Sequence, residues 1–194
     1  MVCYNEPAQK DEQTRIHKMS DVTQNMKPSE KSIFESYKNT FPFPVVNFIN
    51  DLDIRVFAEK MADNQSGAIC KDDKGFVIRV NESHGVPRIR FTLAHELGHY
   101  FNDKEYLEKN GALEDYSQQS ERKWLFREKR HPHDPEERKR EVRANQFAAE
   151  LLMPRDKFIE IWHRKRTPEE VADFFNVSVA AAGTRAASVL GEII

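Results

Sequence analysis

The sequence predicts an α+β fold: a helical core packed on a small twisted sheet of about three strands, with a small helical unit at the C-terminal end. Three observations predict it. Over residues 87–103 the apolar side chains Ile89, Leu93, Leu97 and Phe101 recur every four positions, the stripe of a half-buried helix. Residues 54–57, 66–70 and 76–81 are short apolar runs of strand length, the last two joined by a polar turn containing glycine. Helical spacing then returns over 141–153 and 167–190, punctuated by Pro154 and Pro168.

At 194 residues the chain suffices for one domain and a small appendage. The net charge of −2 gives no global attraction to nucleic acid or to an anionic membrane. No run of apolar residues is long enough to span a bilayer, and the first residues lack the basic and apolar parts of a secretory signal. Cys3 and Cys70 are too few for a disulfide framework. Cytoplasmic residence is the expectation, with no membrane partner.

Residues 1–30 are polar and aperiodic, and read as a disordered tail. A first helix starts near Ser29 or Lys31 and ends before the Phe41-Pro42-Phe43-Pro44 stretch, which forces extended chain. Residues 44–52 form a second helix with Val45, Phe48, Ile49 and Leu52 as its stripe. In the third strand, Phe76, Ile78 and Val80 take the buried face while Val77, Arg79 and Asn81 face partly to water. An edge of this sheet could pair with an extended peptide. Residues 104–135 are charged and irregular, and His131 and His133 read there as loop residues rather than ligands.

Within the central helix lies His95-Glu96-Leu97-Gly98-His99, an H-E-x-x-H pattern. Its histidines stand one turn apart on one face and can grip one metal ion, with Glu96 beside them to accept a proton from metal-activated water. Gly98 lowers helix propensity by roughly 1 kcal/mol relative to Ala, a cost that makes sense if another element approaches closely there. The helix over 141–153 offers a third ligand in Glu141, with Asn145 one turn on to orient a ligand from behind. Ala144 and Ala148 on that helix would permit close packing. Glu150 competes as the carboxylate, but nine residues on from Glu141 it points nearly the opposite way.

The stretch from Phe91 to Tyr100, followed by Glu141-x-x-Ala144-Asn145-x-Phe147-Ala148-Ala149-Glu150-Leu151-Leu152-Met153-Pro154, resembles the ImmA/IrrE family of zinc metallopeptidases. The resemblance implies Zn2+ as cofactor, His95, His99 and Glu141 as its ligands, and Glu96 as general base. It also implies a protein substrate, a helix-turn-helix repressor cut to derepress its genes. Arg143 departs from the family, which often has an acidic residue there. For the oxyanion, Tyr100, Tyr106, His131 and Arg143 all remain open as donors.

After a short amphipathic turn or helix at 158–162, Thr167 and Ser178 cap two helices around Asn176-Val177, a helix-turn-helix-like pair. Its second helix offers only Thr184, Arg185 and Ser188 to read bases, so direct nucleic-acid binding is disfavoured and docking on the core is expected. The organisation expected is therefore a tail at 1–30, a zinc metallopeptidase domain at 31–163 and a C-terminal helical unit at 164–194. The rival reading is a DNA-binding or repressor-binding regulator whose protease core cleaves nothing.

Overall fold

The structure, a computed structural model, describes residues 21–62, 65–109, 135–165 and 167–191. Seven helices and three strands lie among the described residues. The fold is α+β and mostly helical, with a small mixed sheet and helices at the C-terminal end.

Helix α1 (Pro28–Tyr37) opens with proline at its first position, and the Lys27 N–H donates to Glu30 Oε2 at 2.7 Å. Of the tail expected over 1–30, residues 1–20 lie outside the described residues. Residues 21–27 form a turn that puts Met26 into the core at 5% exposure, so composition alone misplaced them. Helix α2 (Val45–Asp51) buries Val45, Phe48 and Ile49; the Phe48 ring meets Phe34 and Phe43 edge to face at 6.0 and 5.5 Å.

Strands β1 (Arg55–Glu59), β2 (Gly67–Asp72) and β3 (Gly75–Asn81) form one sheet in the order β1-β3-β2. The β2–β3 hairpin is antiparallel and closes on Gly75, whose φ of 111° an L side chain would resist. β1 pairs parallel to β3, which is thus the middle strand. On the second face of β3 Arg79 stays partly exposed as expected, but Val77 and Asn81 are buried. Val77 is flanked on both sides, by Arg55 of β1, which pairs with Asp72, and by Cys70 of β2. Asn81 is inside because its amide donates to the carbonyls of Gln65 and Ala62 at 2.9 and 3.2 Å, and its oxygen accepts from Ser83 N–H.

Helix α3 (Val86–Lys109) lies on the sheet, where Tyr100 meets the Phe76 ring edge to face at 5.0 Å, and makes its most extensive contact with α4 (Pro135–Leu152), where Phe101 lies 5.4 Å from Phe147. The α4 helix begins six residues before the apolar spacing does, carried by proline at its start and Glu136 and Glu137 in its first turn. The two helices touch backbone to backbone where the sequence suggests: a Cβ on Gly98 would stand 2.8 Å from Ala144 Cα and 2.9 Å from its carbonyl oxygen. Gly98→Ala would gain about 1 kcal/mol of helix propensity but must push the two backbones away from each other, an overpacking cost of roughly 1–3 kcal/mol. The balance is a net loss of up to about 2 kcal/mol, read from urea unfolding. A variant clearly more stable than wild type would mean that α3 and α4 can separate freely.

Pro154 ends α4, and α5 (Arg155–Lys165) is a helix longer than the short turn or helix expected at 158–162. Helices α6 (Pro168–Phe175) and α7 (Val179–Leu190) start at caps in which Thr167 and Ser178 accept from the Glu170 and Ala181 N–H groups. Asn176 makes the left-handed turn between them at φ 52°. Val171, Phe175, Val177 and Val189 enter the core cluster shared with α5. Arg185, expected on the surface of α7, is instead 5% exposed. Its Nε donates to the Met153 carbonyl at 3.0 Å and its Nη2 pairs with Glu150. Arg90 of α3 ties the same region: its guanidinium donates to the carbonyls of Asn176 and Phe43 at 3.0 and 2.9 Å.

Candidate metal centre

Helical repetition brings His95 and His99 to the same side of α3, facing α4, and their Nε2 atoms stand 3.1 Å apart. Glu141, one turn before the Ala144 contact, points its carboxylate at both. Its Oε2 is 3.3 Å from His95 Nε2 and its Oε1 is 3.0 Å from His99 Nε2. One potential ligand atom from each of the three residues falls within 4.8 Å of the others.

The outer ring nitrogens are occupied. His95 Nδ1 lies 3.0 Å from Asn145 Oδ1, and His99 Nδ1 lies 2.9 Å from Asp103 Oδ2. Both partners are acceptors, so each Nδ1 carries the hydrogen and each neutral ring turns a lone pair at Nε2 toward Glu141. Three acceptors aimed at one point repel one another unless a proton or a cation joins them. Burial pushes the His99 pKa down, but its bonds to Asp103 and Glu141 and the nearby Glu96 charge outweigh this and raise it. The same concentration of negative charge around neutral imidazole lone pairs suits a divalent metal ion, and the donor set of two imidazoles and one carboxylate fits one.

Glu96 is buried at 4% exposure between the two histidines in sequence. Glu150 stands apart from the cluster; its Oε1 accepts from Arg155 N–H at 3.0 Å while Arg185 holds its other oxygen. Asp103 was not singled out from sequence. The signal was present, since a carboxylate four residues after His99 shares its helix face. Arg143 Nη2 donates to the other Asp103 oxygen at 3.0 Å. Burial pushes the Asp103 pKa up, yet His99 and Arg143 together hold it below its ordinary value.

Of the four donors open for an oxyanion, Tyr100 is engaged elsewhere. Its hydroxyl donates to Glu30 Oε1 at 3.0 Å and accepts from Lys104 Nζ, and burial with the Glu30 charge raises its pKa. Tyr106 lies beneath the Arg140 guanidinium, 4.3 Å from its ring centre. Arg143 gives one N–H to Asp103 and leaves 44% of its side chain exposed. His131 and His133 lie outside the described residues.

No helix among the described residues is long and apolar enough to cross a membrane. No curated protein matches the sequence. A solved structure of a Mycobacterium tuberculosis transcriptional regulator is similar in fold, with a TM-score of 0.56 and 16% identity. The likeness covers 82% of this chain and 45% of that one, so this chain spans less than half of the regulator's length. The family model described as the IrrE N-terminal-like domain matches residues 49–187, a span that holds the sheet, His95, His99 and Glu141. The chain therefore belongs to the ImmA/IrrE family.

Proposed function

We propose that this chain is a cytoplasmic zinc-dependent endopeptidase that cuts a helix-turn-helix transcriptional repressor and so releases its genes. The observation that carries the reading is the convergence of His95, His99 and Glu141 on one point, with the buried carboxylate of Glu96 on the same helix. Three protein ligands are the set of a catalytic zinc, whereas structural sites close with four. When bound, zinc supplies Lewis acidity for the scissile carbonyl and for water. Glu96 is the group to take the proton from that water and return it to the leaving amine. Asn145 and Asp103 keep the rings of His95 and His99 turned the right way.

The regulatory side of the proposal draws on the family and on the similar solved structure, which bears the name of a transcriptional regulator. A role in reading DNA directly is less well supported. Among the residues of α6 and α7 the one cation is Arg185, and it is buried against Glu150 and Met153. Residues 164–194 serve on this reading as a helical unit attached to a metallopeptidase domain at 31–163.

The test is to incubate the purified chain with purified helix-turn-helix repressors of the same genome, with zinc and with a chelator, and to follow fragments by mass spectrometry. Cleavage with zinc and none with chelator is expected. Intact repressor retained in a stable complex with the zinc-loaded chain would instead identify a binder that does not cut. A salt-sensitive gel-shift with promoter DNA by the chain alone would favour a DNA-binding regulator.

A further inference from the structure

The two histidines of the centre are supported unequally. His95 is backed by a neutral amide at the protein surface, whereas His99 is backed by a carboxylate that is 5% exposed. A carboxylate buried so deeply and facing a lone imidazole N–H would be poorly compensated. The compensation comes from α4: Arg143, two residues after Glu141, reaches the free Asp103 oxygen at 3.0 Å from a position 44% exposed to solvent. At Asp103 the backbone of α3 leaves helical geometry, with φ −125° and ψ 18°, so the helix bends at the residue that backs His99. One short stretch of α4 thus carries Glu141, the residue behind His95 and the residue that holds Asp103.

We propose that Asp103 and Arg143 are positioning residues that set metal affinity, Asp103 by fixing the His99 ring through its Nδ1 hydrogen, and Arg143 by holding the Asp103 carboxylate in place. The proposal rests on the metal reading of His95, His99 and Glu141. The competing explanation is an ordinary ion pair between helices, which would change stability with and without metal alike and leave affinity untouched.

The experiment is a zinc titration of the full chain against a competing chelator, with thermal unfolding of the metal-free protein alongside. Asp103→Ala should weaken zinc binding on the order of 10–100-fold, the range found when such supports of a metal-bound histidine are removed. Asp103→Asn, which keeps the shape and an accepting oxygen, should fall between it and wild type. Arg143→Ala should weaken binding several-fold alone but add nothing in an Asp103→Ala background, because it acts through Asp103. Arg143→Lys should restore some of the loss. Arg143 is partly exposed, so its variants fold even if Asp103→Ala does not. Wild-type zinc affinity in Asp103→Asn and Arg143→Ala, beside lost binding in His99→Ala, would overturn this proposal alone. A wild-type chain that holds no zinc would overturn the metal reading with it.

Discussion

Glu96→Gln should fold, keep its zinc and cut the repressor on the order of 10²–10⁴-fold more slowly than wild type. The substitution is close to isosteric, so the packing around a side chain that is 4% exposed survives it. The three ligand residues are untouched. The amide, however, has no basic oxygen to accept a proton, and the loss corresponds to roughly 3–5 kcal/mol of transition-state stabilisation. Initial rates of fragment formation, with zinc content measured on the same samples, check this outcome. Cleavage at the wild-type rate would remove Glu96 from the mechanism.

The largest stability effect is expected at Phe175. Its side chain has no solvent exposure; it lies 6.0 Å from the Phe158 ring in a stacked pair and meets Phe41 edge to face at 5.7 Å. Phe175→Ala should cost about 3–5 kcal/mol, the range for emptying a buried aromatic site. Because α5 and the Phe41 segment share the lost contacts, the loss should lower the melting temperature of the whole domain in one transition. Its neighbour Phe174 is only partly buried and stacks on Phe41 at 6.1 Å, so Phe174→Ala should cost less. Calorimetry showing two transitions in Phe175→Ala would mean that α6 and α7 unfold separately from the body.

The helices of this fold were legible where burial follows a simple period. The Leu93 to Phe101 stripe, the Pro168 and Thr167 start of α6 and the close approach of Gly98 to Ala144 all follow from local chemistry. The first six residues of α4 were not, because Pro135 to Arg140 carry good helix formers but no apolar face. The parallel pairing of β1 with β3 was also hidden, since alternation says which face a residue takes and nothing of the neighbouring strand. The buried Val77 follows from that unseen pairing. At the centre, helical spacing and the family resemblance singled out the residues that the fold brings together, whereas Asp103 was passed over. Its spacing from His99 was visible, but its ion pair with Arg143, forty positions away in sequence, was not, because long-range pairs leave no periodic trace. Arg185 illustrates the same limit: an arginine on a short helix reads as surface until its partners Glu150 and Met153 are known.

The division of the centre between α3 and α4 has a thermodynamic consequence. An ion held by His99 and Glu141 is also a cross-link closing the long stretch of chain between them, and cross-links over long loops restrict the unfolded ensemble most. Binding that favours the native state adds RT ln(1 + [L]/Kd), about 2.7 kcal/mol when free metal is a hundredfold above Kd. Metal supply would then govern how often α4 comes away from α3, and with it how readily proteases digest the chain. On the metal reading proposed above, withdrawal of the ion would leave the chain easier to digest, so that its persistence becomes a record of the metal available.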